Sequence, residues 1–164
     1  MGMSVSVYTN IKKSTEDTGD FYAYVDAEQW LDRIKNLEEY AWYTGDYHDD
    51  LYFGHSCSDH TWFRNKLSSL VLDREVDDFT EIIDDNLDMA FIELINFSDC
   101  EGTMDWETCE KLFRDFVDWE ERMQEEFPIE NSPNMIENRM FRTRYYLWMN
   151  AFAVAKNNGV LEIH

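Results

Sequence analysis

An excess of acidic side chains is the feature of this sequence that most constrains its fold. The chain has 35 Asp and Glu but only 14 Lys and Arg, a formal net charge of −21 on 164 residues. Because like charges repel, this excess destabilises any compact state that crowds the carboxylates together. The same chain has 11 Phe, 9 Tyr and 6 Trp, and a disordered acidic tail has few aromatics. The sequence therefore predicts a packed globule with an acidic surface.

The length of the chain and its small number of Pro and Gly residues favour a single globular domain over residues 1–164. A chain of this size can bury a sizeable core, and two Pro and six Gly leave no visible linker. No apolar run approaches the roughly 20 residues that span a bilayer. The N-terminal segment MGMSVSVYTN lacks the charged and apolar regions of a secretory signal, and three unpatterned cysteines are typical of reduced thiols. We expect a cytoplasmic protein with no cofactor and no membrane partner.

The pattern of apolar residues predicts an α+β fold, in which about four helices pack with a small sheet of short strands. Polar and apolar residues alternate at 4–8, and residues 21–25 are β-prone, so both segments are predicted strands. Residues 160–163 are a third candidate. The apolar segment 89–97 has the length of a buried strand, although its periodicity also permits a helix. Turn-forming residues at 44–54 predict a loop.

Apolar stripes at helical spacing, each preceded by a capping residue, mark the helices. The predicted helices begin at Asp26, at Ser58 or Asp59, at Asp105 and just after Ser132. The third is predicted to run to about Glu126 and the last to Asn157. The predicted core face of the last helix consists of Ile136, Met140, Leu147, Ala151 and Val154.

Eight carboxylates fall in one short stretch, residues 73–88, which we call the acidic run. They are Asp73, Glu75, Asp77, Asp78, Glu81, Asp84, Asp85 and Asp88. A second group occupies the predicted helix 105–126, whereas three arginines, Arg139, Arg142 and Arg144, lie on the last helix. The charge is therefore unevenly distributed, and the acidic run is the predicted partner-binding segment.

An ordered array of carboxylates can imitate nucleic acid. Neighbouring side chains on a helix lie about 5–6 Å apart, which is comparable with the spacing of phosphates along a strand. The sequence thus favours a non-enzymatic acidic interaction protein that binds a basic protein surface, such as that of a nucleic-acid-binding protein, and does not bind nucleic acid directly. A nucleic-acid mimic or stoichiometric inhibitor of the phage counter-defence or toxin-immunity type fits this description. The alternative is a solvated face that only maintains solubility.

A polar turn at 96–102 is the alternative candidate site. It carries an amide, a hydroxyl and two carboxylates on Asn96, Ser98, Asp99 and Glu101, directly after an apolar segment, where sites are commonly built. Such groups suit a small enzyme or a ligand- or metal-binding domain. They also suit a tight turn, in which polar side chains bond the backbone.

His55, Cys57 and His60 carry donors suited to a borderline metal such as zinc, and Asp49, Asp50 or Asp59 could complete a site. Their spacing matches no structural zinc pattern, so the alternative is a loop with exposed histidines that leads into a helix. Glycine-rich phosphate loops, G-x-S-x-G and H-E-x-x-H are absent from the sequence. The familiar enzyme classes that depend on these motifs are therefore disfavoured.

Three blocks of the sequence resemble an uncharacterised bacterial and phage protein family. The first is ELINFSDCEG at 93–102. The second is WMNAF at 148–152, followed by NNGV at 157–160 and His164, and the third is GHS at 54–56 with WFRN at 62–65. Together they comprise 27 of the 164 residues. The resemblance implies a bacterial or phage origin and a cytosolic location, and it implies no activity. The acidic run lies outside it.

Overall fold

A computed structural model of the chain describes residues 2–26, 28–97 and 101–164. Over these residues the fold is α+β, as predicted, with five α-helices packed against one antiparallel sheet. The sheet has six strands and is larger than the small sheet that the sequence predicted. They are β1 (Gly2–Lys13), β2 (Phe21–Tyr22), β3 (Trp42–Tyr47), β4 (Phe53–Ser56), β5 (Gly102–Asp105) and β6 (Val160–Ile163).

The long strand β1 organises the sheet, whose order is β2-β3-β1-β6-β5 with β4 also paired to β1. The first residues of β1 pair with β4, and its last residues pair with β3. Its other edge pairs with β6, where Val7 lies opposite Leu161. Val5 and Val7 point into the core, because alternate side chains of a strand face opposite sides.

The segment that follows β2 connects the two outer strands of the sheet. β2 pairs with β3, whereas the Thr103 N–H of β5 donates to the Tyr24 carbonyl at 2.8 Å. Val25 then forms a bridge with Gly102. Residues 21–25 were predicted to form one strand, but part of this segment pairs with β3 and part with β5. The sheet therefore curls, so that its two outer edges meet at this one segment.

The five helices are α1 (Cys57–Leu72), α2 (Ile92–Ile95), α3 (Trp106–Asp118), α4 (Glu120–Glu126) and α5 (Met135–Ala155). The predicted cap at Asp105 is present, since its side chain accepts a hydrogen bond from the Thr108 N–H. The cap of α1 is Ser56 rather than Ser58 or Asp59. In the described part of the chain, no helix has both the length and the apolar character needed to cross a membrane.

Helix α5 packs against α3 and the sheet through a face that differs from the predicted one. Its largest buried residues are Phe141, Tyr145, Trp148 and Phe152. Of the predicted core face, Ala151 is buried, but Ile136, Met140 and Leu147 are 74%, 47% and 40% exposed. Apolar residues recur at helical spacing on both faces. The aromatic face is the buried one, because burying an aromatic ring removes more apolar area from water than burying an aliphatic side chain.

For the apolar segment 89–97 the sequence permitted a strand or a helix, and the structure has the short helix α2. Two other predictions of local structure were wrong. Residues 44–54 are not a loop, because they contain most of β3 and the start of β4. The first predicted helix is a 3-10 helix, Glu28–Ile34. In each case pairing or packing with distant residues overrides the local pattern.

Candidate functional site

The acidic run is an exposed segment that follows α1. All eight of its acidic residues are exposed, whereas Val76, Phe79 and Ile82 between them are buried. Phe79–Ile82 forms one turn of 3-10 helix. The apolar residues therefore anchor the segment, and the carboxylates project from it into solvent.

Side chains of α1 fix the backbone of the acidic run. Asn65 donates to the Asp77 carbonyl through Nδ2 and accepts from the Phe79 N–H through Oδ1 at 3.0 Å. Ser69 accepts from the Val76 N–H at 2.9 Å. Because three backbone groups are bonded to one helix, the run has a defined path and differs from a disordered acidic tail.

Most carboxylates of the acidic run have no ion-pair partner in the part of the chain that the structure describes. Asp73 pairs with Arg122 at 2.8 Å, and the other seven acidic residues form no ion pair with any described residue. Hydrogen bonds from the hydroxyl and N–H of Thr80 lower the pKa of Asp78 below its ordinary value. The carboxylate of Asp78 is therefore held in its charged form.

The second acidic group, on α3 and α4, is much more engaged. Asp105 is buried and accepts from Thr108 and Asn36, and Glu120 accepts from the Tyr146 hydroxyl. The ion pairs are Lys35–Glu107, Arg114–Glu110, Lys111–Asp115 and Arg122–Glu126. Among the described residues, ion pairs therefore engage the second acidic group more than the acidic run.

The exposed apolar face of α5 borders a groove against β4. The groove has a volume of about 390 Å³ and is lined by Ile136, Met140 and Leu147 together with Arg139 and Arg144. Arg144 is engaged at its edge, where its guanidinium lies 3.3 Å from the Asp59 carboxylate. Two of the three arginines that the sequence places on the last helix, Arg139 and Arg144, thus lie beside apolar side chains.

The turn at 96–102 is described only in part. Ser98 and Asp99 of the predicted site lie outside the described residues, as does Cys100. The Asn96 N–H bonds the Ile92 carbonyl and so ends α2, while Glu101 is exposed at the start of β5. The two described members of the site are therefore one helix-terminating residue and one solvent-facing carboxylate.

Two buried arginines border this turn, and the sequence reasoning missed both. Arg64 of α1 donates to the Phe97 carbonyl at 2.6 Å, and its guanidinium lies 4.2 Å from the centre of the Phe79 ring. Arg33 packs between Trp30 and Phe97, at 5.0 and 5.1 Å from the ring centres, and burial lowers its pKa to about 10. The burial of Arg64 could have been predicted from its position, because it lies three residues before Leu67 on the buried face of the same helix.

The histidines of the predicted metal cluster pack as aromatic side chains. The ring centres of His55 and His60 lie 5.6 Å apart. His60 is fully buried and Cys57 half-buried at the start of α1. No set of three His, Cys, Asp or Glu residues in the described ranges is close enough to hold a metal ion. What the structure brings together here is an aromatic cluster that includes Trp148.

Comparison with known proteins gives no relative of this chain. No family model matches it, and no curated protein or solved structure is significantly similar to it. The arguments about function therefore depend on the residues themselves.

Proposed function

We propose that the protein is an acidic binding protein whose acidic run docks on a basic surface of a partner protein. The observation that carries the proposal is the contrast between the two acidic groups. Seven acidic residues of the run form no ion pair among the described residues, whereas four of those on α3 and α4 are paired with Lys or Arg. Unpaired carboxylates can exchange water for the cations of a partner without first breaking internal ion pairs.

The fixed path of the acidic run supports a specific partner rather than general attraction. A segment that is already ordered loses little conformational entropy when it binds. The hydrogen bonds that the backbone of the run forms with the side chains of Asn65 and Ser69 supply this order before any partner arrives. Long-range attraction from the net charge would accelerate the encounter with the partner. The carboxylates on the ordered backbone would then fix how the partner aligns with the acidic run.

The partner class that fits best is a nucleic-acid-binding protein. Its groove carries Lys and Arg at spacings suited to phosphates, and the acidic run presents carboxylates from an ordered backbone. The protein would act as a mimic or stoichiometric inhibitor, as in phage counter-defence or toxin immunity. Binding would then compete with nucleic acid and weaken as salt is added.

The test is affinity capture from the native host followed by mass spectrometry, with three baits compared at low salt and at about 0.5 M salt. The first bait is the wild-type protein. The second carries Asp77→Asn, Asp84→Asn, Asp85→Asn and Asp88→Asn in the acidic run. The control removes the same charge from exposed residues elsewhere, with Asp118→Asn, Glu121→Gln, Glu125→Gln and Glu130→Gln.

We expect a basic nucleic-acid-binding protein to be captured by the wild type and the control and lost from the run variant. The purified partner should then be displaced by duplex DNA or by RNA in a competition assay. Equal loss from both variants would show that only net charge matters. Equal capture by all three baits would leave the acidic run as a solubilising face and overturn the proposal.

A further inference from the structure

A small cleft lies on the face of the sheet away from α5, where β5 and β6 approach the segment that contains β2. Its volume is about 120 Å³, and the residues that line it include Tyr22, Tyr24, Glu101, Glu162 and His164. Glu162 of β6 lies opposite Thr103 of β5 in the ladder. Leu161 and Ile163 on either side of Glu162 are buried in the core, so strand alternation directs Glu162 to the cleft.

Glu162 is a half-buried carboxyl group that forms no hydrogen bond or ion pair with any described residue. Burial raises its pKa from an ordinary 4.5 to about 7. No Lys or Arg is among the described residues that line the cleft. Burying an acid in this way is unfavourable unless something compensates for the lost hydration, and strongly perturbed acids in clefts are candidates for functional groups.

The tyrosines of the cleft belong to a surface aromatic cluster. The ring centre of Tyr22 lies 5.0 Å from Trp42 and 6.2 Å from Tyr40, and that of Tyr24 lies 5.8 Å from Tyr40. Tyr40 is 58% exposed. Aromatic faces attract organic cations, and the attraction increases when the cation is partly removed from water.

We propose that this cleft binds an alkylammonium group, with Glu162 as its counter-ion and the rings of Tyr22 and Tyr24 as its walls. Glu101, exposed at the rim, adds a second negative charge. The cation is organic rather than a hard metal ion, because Ca²⁺ takes six to eight oxygen ligands whereas two carboxylates and two aromatic rings suit an alkylammonium. The head group could be supplied by a lysine side chain or by a free amine. This site is separate from the acidic run.

Binding at this site should be linked to the ionisation of Glu162. A bound cation favours the carboxylate, so binding releases a proton near pH 7 and strengthens as pH rises. The other titratable groups that surround Glu162 are Tyr8 of β1, whose pKa is raised to about 12 by burial and by Glu162, together with Tyr22, Tyr24, Glu101 and His164.

The experiment is a calorimetric titration of the whole protein with butylammonium and with Nα-acetyl-lysine methylamide, using butanol as the neutral control. We expect saturable binding of at least one cation and none of butanol. Affinity should rise about tenfold from pH 6 to pH 8, as an acid with a pKa near 7 ionises. Tighter binding of butylammonium would indicate a free amine, and tighter binding of the lysine derivative a protein or peptide.

Variants distinguish binding at this site from the general attraction of cations to an acidic protein. Glu162→Gln keeps the shape of the side chain and should weaken binding at least tenfold, whereas Glu130→Gln, which removes one charge from an exposed position outside both proposed sites, should leave it unchanged. Tyr24→Leu should weaken binding and Tyr24→Phe, which retains the ring, should not. Equal binding by wild type and Glu162→Gln, or no saturable binding to the wild type, would overturn the proposal.

A second measurement uses the wild type alone, in case Glu162→Gln does not fold. Titrations at pH 7 in two buffers of different ionisation enthalpy report the protons released on binding. Release of a fraction of a proton supports the proposal, and zero release contradicts it. Because none of these outcomes involves the acidic run, failure here would leave the proposed partner binding unaffected.

Discussion

The imidazole rings of His55 and His60 stack at 5.6 Å, with 26° between their planes. Trp148 packs beside both rings, at 6.2 and 5.7 Å. Burial, assisted by the charge of Arg144, lowers the pKa of His55 to about 4, and burial lowers that of His60 well below its ordinary value. Both rings are therefore neutral at pH 7, and protonating either one would place a cation inside an aromatic cluster.

This pair should make the protein less stable in mild acid. As pH falls from about 6.5, the unfolded histidines bind protons that the folded ones do not, so the free energy of unfolding decreases until the folded pKa is passed. Each histidine contributes a slope of at most about 1.4 kcal/mol per pH unit. Urea unfolding of the wild type and of His60→Phe at pH 7, 6 and 5 measures this slope. A variant with the same pH dependence as the wild type would show that His60 is not the source.

Glu162 should act in the opposite direction. Its folded pKa is about 7 against an ordinary 4.5, so the folded state binds more protons between these values and stability falls as pH rises through them. Without added amine, Glu162→Gln should therefore raise Tm at pH 8 and change it little at pH 4. Glu81→Gln, at an exposed position, is the control for removing one charge. A lower Tm of Glu162→Gln at pH 8 would contradict the prediction.

Arg64 should be one of the most important polar residues for stability. Its guanidinium donates to the carbonyls of Ile95 and Phe97 and covers the Phe79 ring. Arg64→Met leaves buried acceptors without a donor, and we expect a loss of about 2–4 kcal/mol in the free energy of unfolding. Arg114→Met removes only an exposed ion pair with Glu110, and should cost less than about 1 kcal/mol. Similar losses for the two variants would argue against the assigned role of Arg64.

The two faces of α5 should respond differently to truncation. Phe152 is fully buried, so Phe152→Ala should cost about 3–5 kcal/mol. Leu147 is 40% exposed, and Leu147→Ala should cost under about 1 kcal/mol. Denaturant unfolding of both variants decides which face packs in the core. A larger cost for Leu147→Ala would support the face predicted from the sequence.

The sequence contains enough information to predict the long helices and the strand segments 4–8 and 160–163, but not the full extent and pairing of the sheet, nor the cleft. Helix α3 was predicted because Asp105 is a capping residue followed by a strongly periodic apolar stripe. Strand β3 was missed because its Thr44, Gly45 and Asp46 are turn formers, and only pairing with β1 makes them a strand. The face of α5 was misassigned because spacing does not distinguish two apolar stripes that differ in side-chain size.

The candidate sites show the same limit. The eight acidic residues lie close together in sequence, so their exposure could be anticipated. That seven of them form no ion pair with any described residue depends on where Lys and Arg lie in space. The cleft joins Tyr22, Glu101 and Glu162, which are brought together only by the pairing of β5 with β6 and by the contact of both with residues 21–25. The spacing of residues along the chain does not predict contacts of this kind between distant segments.

The pairing of β1 with β6 has a consequence for biosynthesis. The Ser4 and His164 backbones exchange hydrogen bonds at 2.7 and 3.0 Å, so β1 is synthesised well before β6 can cover its second edge. Contacts of such sequence separation fold slowly, and an uncovered strand edge is a template for association with other chains. During synthesis, the strongly negative net charge would keep nascent copies apart until β6 covers this edge of β1.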